Sequence, residues 1–239
     1  MRIKIGAVHP AKERNMTPVA SGTIVVWSDI ACPWATAAVY HLHAARARLG
    51  LEGAVTLDHR AFPLELLNSR PTPKAIVDAE VPVVGALAPD FGFSLWTRDT
   101  AAYPSTVLLA LEAVQAAKEQ SLAASDRLDL ALRRGMFAEP TNIGMRHVIL
   151  ELAARVPEVD TAALEEALDD GRGRRAVIDQ WRAVPDAGIQ GSPHLFLPDG
   201  TDVHNPGVTM HWVGGKPGGF PVVDAFDPSV YEEILTRAK

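Results

Sequence analysis

The chain has 239 residues, 47% hydrophobic and 22% charged, enough apolar material for one large domain or one domain carrying a big insertion. A net charge of −6, with no basic cluster interleaved with aromatics, argues against a nucleic-acid surface. No run of about 18 apolar residues marks a transmembrane helix, and a single cysteine, Cys32, excludes an internal disulfide framework and points to a cytoplasmic location.

Residues 1–21 carry scattered charges and no apolar stretch of signal-peptide length, so they are expected to be a poorly ordered lead-in, with Met16 as an alternative start. TIVVWSD (23–29) is apolar and β-branched and predicts a buried strand. From Pro33 to Leu49 the period changes to helical: Trp34, Ala38, Leu42, Ala45 and Leu49 recur on one stripe, and Gly50 closes the segment. AVTLDHRAF (54–62) alternates as a second strand, with Val55, Leu57, His59 and Ala61 on one face. Strand, helix and strand make a right-handed βαβ unit with a parallel pair. His41 and His43 stand two apart on the helix and face different ways, so they read as solvated surface rather than a metal pair, and no metal is expected.

Residues 64–103 read as irregular, because Pro71, Pro73, Pro82, Gly85 and Pro89 interrupt any long helix. From Pro104 to about Val184 the pattern is helical, in stripes such as Val107/Leu111/Val114 and Leu128/Leu132/Met136, with Asn142, Asp160 and Thr161 as caps. RGRR (172–175) falls on a helix start and reads as a solvated face. HLFLP (194–198) predicts a short strand and Asp199-Gly200 a hairpin turn. TDVHNPGVTMHW then supplies the partner strand, interrupted at Pro206-Gly207. DPSVYEEILTRAK closes the chain as a helix capped by Asp227, with Pro228 in its first position. The outer segments, 22–63 and 186–239, are each too small for a core and are expected to share one sheet, with 64–185 inserted as a helical subdomain.

Cys32 stands where the first strand gives way to the first helix. Pro33 suits the first helical position, so Cys32 lies at or beside the N-cap, facing free N–H groups and the positive end of the helix dipole. That placement favours the thiolate and predicts a pKa below the ~8.5 of free cysteine. Trp34 is expected to line a pocket mouth and Trp27 to lie in the core. In GIQGSPHLFLPDG (188–200), Pro193 follows Gly191-Ser192 just before a strand, which suits either a cis peptide or an ordinary trans turn. His194, His204 and His211 are candidate proton donors or ligand contacts near the thiol. GGKPGG (214–219) lacks P-loop spacing and reads as a flexible loop near the site.

These features together resemble the DsbA-like branch of the thioredoxin superfamily, particularly its FrnE-like and 2-hydroxychromene-2-carboxylate isomerase-like bacterial relatives. The resemblance rests on CPWA (32–35) opening the first helix, GSP (191–193) before a strand, AYPSTVLLALEA (102–113) and GFPVVDAFDPSVYEEIL (219–235), and covers roughly residues 22–239. It implies an α/β thioredoxin-like fold with a helical insertion between the βαβ and ββα halves. Cys32 would be the attacking thiolate and Pro193 the cis-proline packed beside it. Pro33, Trp34, Ser192 and His194 would contact the substrate or thiol, the Ser192 backbone binding it in a strand-like way. Ala35 departs from the dithiol pattern, since it stands where such members carry a resolving cysteine. The implied activity is therefore a monothiol one. Cys32 would exchange with glutathione or mycothiol as co-substrate, or form a sulfenic acid resolved the same way, with no tightly bound cofactor. The alternatives are a thiol-dependent isomerase or transferase of the chromene-carboxylate isomerase or kappa glutathione transferase type, and a binding protein that has lost catalysis. The expected partner is a small thiol or small organic substrate, with neither nucleic acid nor membrane involved; a homodimer is allowed.

Overall fold

The computed structural model describes residues 18–239. The expected lead-in up to residue 17, with Met16, lies outside the described residues. β1 (Thr23–Ser28) leads through a short loop into α1 (Pro33–Arg48), and β2 (Thr56–Ala61) returns parallel to β1, Val26 opposite His59. β3 (His194–Phe196) runs antiparallel on the other side of β1, placing His194 opposite Trp27, and β4 (Asp202–His204) follows antiparallel to β3. The sheet order is β2-β1-β3-β4, so both outer segments of the sequence build one sheet.

The long partner strand expected after the Asp199-Gly200 turn divides in two. Asn205 adopts a left-handed φ of 49° and Gly207 one of 72°, and the chain leaves the sheet there. β5 (Val208–Val213) and β6 (Phe220–Phe226) instead form a separate antiparallel ribbon, with the glycine-rich segment as its turn. A Cβ at Gly207 would sit 2.3 Å from the Asp227 carbonyl oxygen, so this turn admits no side chain. β6 was not foreseen, because Pro221 and the Asp224 charge break its apolar alternation. α9 (Val230–Ala238) begins two residues later than expected; Asp227 holds the Ser229 N–H and hydroxyl (3.0 and 2.6 Å), and Ser229 precedes the helix.

The insertion contains α2 (Leu64–Leu67), α3 (Lys74–Leu87), α4 (Leu108–Ala117), α5 (Leu122–Phe137), α6 (Arg146–Ala153), α7 (Thr161–Asp170) and α8 (Arg172–Ala183). α3 corrects the irregular reading of 64–103. It continues through Pro82, giving up one backbone hydrogen bond, because Val77, Val81 and Val84 are buried along its inner face. Asp160 caps α7, accepting from Ala162 and Ala163 N–H, whereas Asn142 spends its side chain on the Gly144 N–H before α6. Arg172 and Arg174 point outward into ion pairs with Glu119 and Glu112, as a solvated helix start would.

α1 is covered on nearly all sides. Val39, Leu42 and Ala45 pack with Leu57, Leu195 and Tyr231 beneath the sheet, whereas Cys32, Trp34, Ala35 and Ala37 belong to the apolar core of the insertion. This central placement corrects the solvated reading of two histidines. The His41 ring lies 5.0 Å from Tyr231, stacked, and bonds the Leu87 carbonyl; His43 is bonded to Asp126 at 2.9 Å. Among the described residues no helix is long and apolar enough to cross a membrane.

Candidate functional site

Cys32 is the N-cap of α1, with extended backbone (φ −90°, ψ 113°), and Pro33 takes the first helical position. The Ser192–Pro193 peptide is cis. The Cys32 Sγ faces this second loop and donates to the Ser192 carbonyl oxygen at 3.3 Å, and the Ser192 hydroxyl accepts from the Asp29 N–H at 2.9 Å. The two loops, 160 residues apart in sequence, are thus joined both at the sulfur and just before it.

Asp29 organises the turn that presents the sulfur. Its carboxylate accepts from Ala31 N–H at 2.7 Å and from Leu64 N–H at 2.8 Å, the second at the entrance to the insertion. Arg133 of α5, wholly buried, donates to the Asp29 carbonyl (3.1 Å), the Ser28 hydroxyl (2.7 Å) and the Thr36 hydroxyl (3.3 Å). Asp129 balances its charge at 2.6 Å and is itself faced by the His59 ring at 3.3 Å. His59 also meets Asp126, which holds Arg46 at 2.7 Å. A buried line of charges therefore fixes the strand end, the thiol loop and the first turn of α1. Burial raises the Asp29 carboxyl to about 6, overcoming the two backbone N–H groups that favour its charge.

Cys32 opens into a cleft of about 420 Å³. Ala31, Pro33, Trp34 and Ser192 form its base, Asn68, Arg70 and Pro71–Pro73 one side, and Met210, Trp212 and Lys216 of the β5–β6 ribbon another. Glu80 of α3 closes the wall. Its carboxylate is almost fully covered and meets the Lys216 ammonium at 3.8 Å; that ammonium also lies 4.5 Å over the Trp212 ring. Burial raises the Glu80 carboxyl above its ordinary range, against the Trp34 indole and Lys216, which favour the charge. The lining mixes apolar walls with a few convergent polar groups, the composition of a small-ligand site.

The thiol corrects one expectation. Burial first, and the Glu80 carboxylate second, push Cys32 up to about 11, outweighing Ser192 and the Ala35 N–H at the helix start. The sequence shows the helix N-terminus but neither the cover over the sulfur nor the carboxylate beside it. The resting group is a thiol, and it donates a hydrogen bond.

Cys32, Pro33, Trp34 and Ser192 come together in the cleft. Pro193 is buried behind Ser192, and its carbonyl accepts from Asn205 N–H at 3.1 Å. His194 is corrected: it is fully buried and does not line the cleft, since Nε2 meets Asp202 at 2.8 Å and Nδ1 accepts from the Gln190 N–H at 3.0 Å. His204 lies outside the cleft as well, with its ring against Gly191. His211 points away, because alternation along β5 sends Met210 and Trp212 inward; it pairs with Asp224 at 2.9 Å. Trp27 lies in the core. Among the described residues no group of three or more His, Cys, Asp or Glu side chains could hold a metal.

Glu80, Arg70 and Lys216 were missed by sequence reading. Glu80 had a signal, a carboxylate inside the apolar run of α3, concealed by the irregular reading of that segment. Lys216 lies in GGKPGG, the loop read as near the site, but its charge drew no role because its placement depends on a ribbon whose second strand was not foreseen.

A family model described as a DSBA-like thioredoxin domain matches residues 23–217. A search of curated proteins finds no match. Among solved structures, the chain is similar to a probable DsbA oxidoreductase from Streptomyces coelicolor, at 22% identity and a TM-score of 0.63, covering 90% of this chain and 89% of that one. It is similar to the cytosolic disulfide reductase DsbM from Pseudomonas aeruginosa with GSH (20%, TM-score 0.56, 90% and 97%). A 2-hydroxychromene-2-carboxylate isomerase follows at 16% identity and a TM-score of 0.54, covering 75% and 87%. At these identities the likeness concerns the fold.

Proposed function

We propose, from the premise that this chain belongs to the DSBA-like thioredoxin domain family, that it is a monothiol thiol–disulfide oxidoreductase whose Cys32 exchanges with a small thiol. The observation that carries this reading is the cleft itself: the one cysteine lines a cleft of about 420 Å³, a volume suited to a thiol of glutathione or mycothiol size. Ala35 is fully buried where a dithiol enzyme places its second cysteine, and the chain holds no other. A mixed disulfide on Cys32 must therefore be resolved by a second small thiol. The Ser192 backbone, already bonded to the sulfur, offers strand-like hydrogen bonds to a ligand lying across it. The single cysteine, and the cytosolic setting of the DsbM protein, support a cytoplasmic site of action.

A second reading is favoured by the protonated state of Cys32. An S–H donor suits stabilisation of a bound thiolate, as an isomerase or transferase with a thiol cofactor would require. Cys32→Ser separates the two. Loss of exchange with glutathione disulfide and of any turnover supports the oxidoreductase. Retention of a thiol-dependent isomerisation with no redox change favours the second reading. Absence of both in the wild type leaves a binding protein.

A further inference from the structure

The wall of the cleft carries one buried carboxylate, Glu80. Glu80 sits on an inner turn of α3 among valines, where an apolar residue would pack without cost. It is instead held by the Trp34 indole, from the same first turn that presents Cys32, and by Lys216 at 3.8 Å. It lines the same cleft as Cys32, and its charge disfavours the Cys32 thiolate. We propose that Glu80 is the proton relay for thiol exchange at Cys32, taking the proton from the attacking sulfur and returning it to the leaving one. This inference rests on the oxidoreductase reading.

The steps balance. Cys32 gives its S–H proton to the Glu80 carboxylate while its sulfur attacks a small disulfide RSSR. The Cys32–SR bond forms, the S–S bond breaks, and departing RS⁻ takes the proton from Glu80 to leave as RSH. Cys32 is oxidised to the mixed disulfide and one half of RSSR is reduced. An incoming R′SH then gives its proton to Glu80, its sulfur attacks the R sulfur of the adduct, and RSSR′ forms. Cys32 leaves as thiolate and regains its proton from Glu80.

The physical case lies in the shared charge. The cover over the cleft disfavours two adjacent negative charges and accommodates one beside Lys216. Moving a proton from sulfur to carboxylate keeps the net charge of the cleft constant, so the penalty that opposes losing that proton to bulk water does not apply in full. The relay also serves the second half-reaction, where a thiolate of high basicity is a slow leaving group unless protonated. The charged and titratable groups facing the thiol are Glu80 from α3, Asp29 from its own loop, Arg70 from the segment after α2, and Lys216 from the ribbon turn. Of these, Glu80 is the covered carboxylate in the cleft wall, and the Asp29 oxygens are spent on backbone N–H groups.

The test is the rate of adduct formation at Cys32 with glutathione disulfide, followed by quenched intact mass from about pH 4 to about pH 10. It compares wild type, Glu80→Gln and Lys216→Met. The wild type is expected to show an acid limb set by Glu80 and then a plateau through neutral pH. Glu80→Gln should lose the plateau, rise steadily with pH, and be slower by on the order of 100-fold near neutrality. Lys216→Met, at a half-exposed side chain, should keep the shape of the plateau and move the acid limb to higher pH, because the cation that favours the carboxylate is gone. Glu80→Gln reacting as fast as wild type or faster overturns the relay, since a carboxylate that only repels the thiolate would give that result. An acid limb unmoved in Lys216→Met overturns it also. A wild type that forms no adduct overturns the oxidoreductase reading, and the relay with it.

Discussion

The Cys32 sulfur lies 3.3 Å from the Ser192 carbonyl oxygen, and the hydroxyl of the same serine accepts from the Asp29 N–H at 2.9 Å. One residue of the proline loop therefore touches the nucleophile and the residue that shapes its turn. Gly191 precedes it, and a Cβ there would stand 2.7 Å from the half-buried His204 Nε2, so one of the two must shift. Gly191→Ala is expected to displace Ser192 from the sulfur. Slower adduct formation with a stability loss of about 1–3 kcal/mol, read by chemical denaturation, checks this; unchanged values would show that the loop has slack.

Asp29 makes folding depend on pH in a stated direction. Its carboxyl is raised from 3.8 to about 6 in the folded state, so the native protein binds more protons than the unfolded chain across that window. The stability it contributes is fully present below 3.8 and is lost as pH rises through about 6. Asp29→Asn should flatten this part of the pH–stability profile and weaken one of the two backbone contacts. Urea denaturation of both proteins at several pH values reads the difference, and identical slopes would refute it.

Arg133 is expected to be the most costly single residue to remove from beneath the site. Arg133→Met leaves Asp129 buried without its guanidinium and frees the Asp29 carbonyl and two hydroxyls, a loss of about 3–5 kcal/mol. A denaturation midpoint near wild type would mean that water replaces the guanidinium.

The missing second cysteine gives a prediction of gained chemistry. Ala35 lies one turn beyond Cys32 and is fully buried. Ala35→Cys should divert the mixed disulfide: intact mass should show loss of two hydrogens in place of an accumulated thiol adduct. The extra sulfur must be fitted into a packed core, at about 1–3 kcal/mol. Persistence of the adduct would show that position 35 cannot reach the sulfur.

The βαβ unit, the insertion and the join at Cys32 were legible because each depends on local pattern: a β-branched run, an apolar stripe, a proline in the first helical turn. Pro82 concealed α3, since burial of three valines outweighed a lost backbone bond. The histidines of α1 were misread because a helix covered on nearly all sides carries no broad polar face to mark its exposure. The state of the thiol was misread for the same kind of reason: the helix N-terminus is local, while the cover and the Glu80 charge come from elements about 50 and 160 residues away in the chain. Arg70, Glu80 and Lys216 are brought to the cleft by tertiary packing alone.

The central claim is that Cys32 works as a single thiol in this cleft. Incubation of the full chain with glutathione disulfide, and separately with mycothiol disulfide, followed by intact mass, tests it most directly. The account predicts one added thiol per chain with at least one of the two, absent in Cys32→Ser and released by excess small thiol. An unmodified mass with both disulfides, from protein whose cysteine alkylates once unfolded, would contradict it.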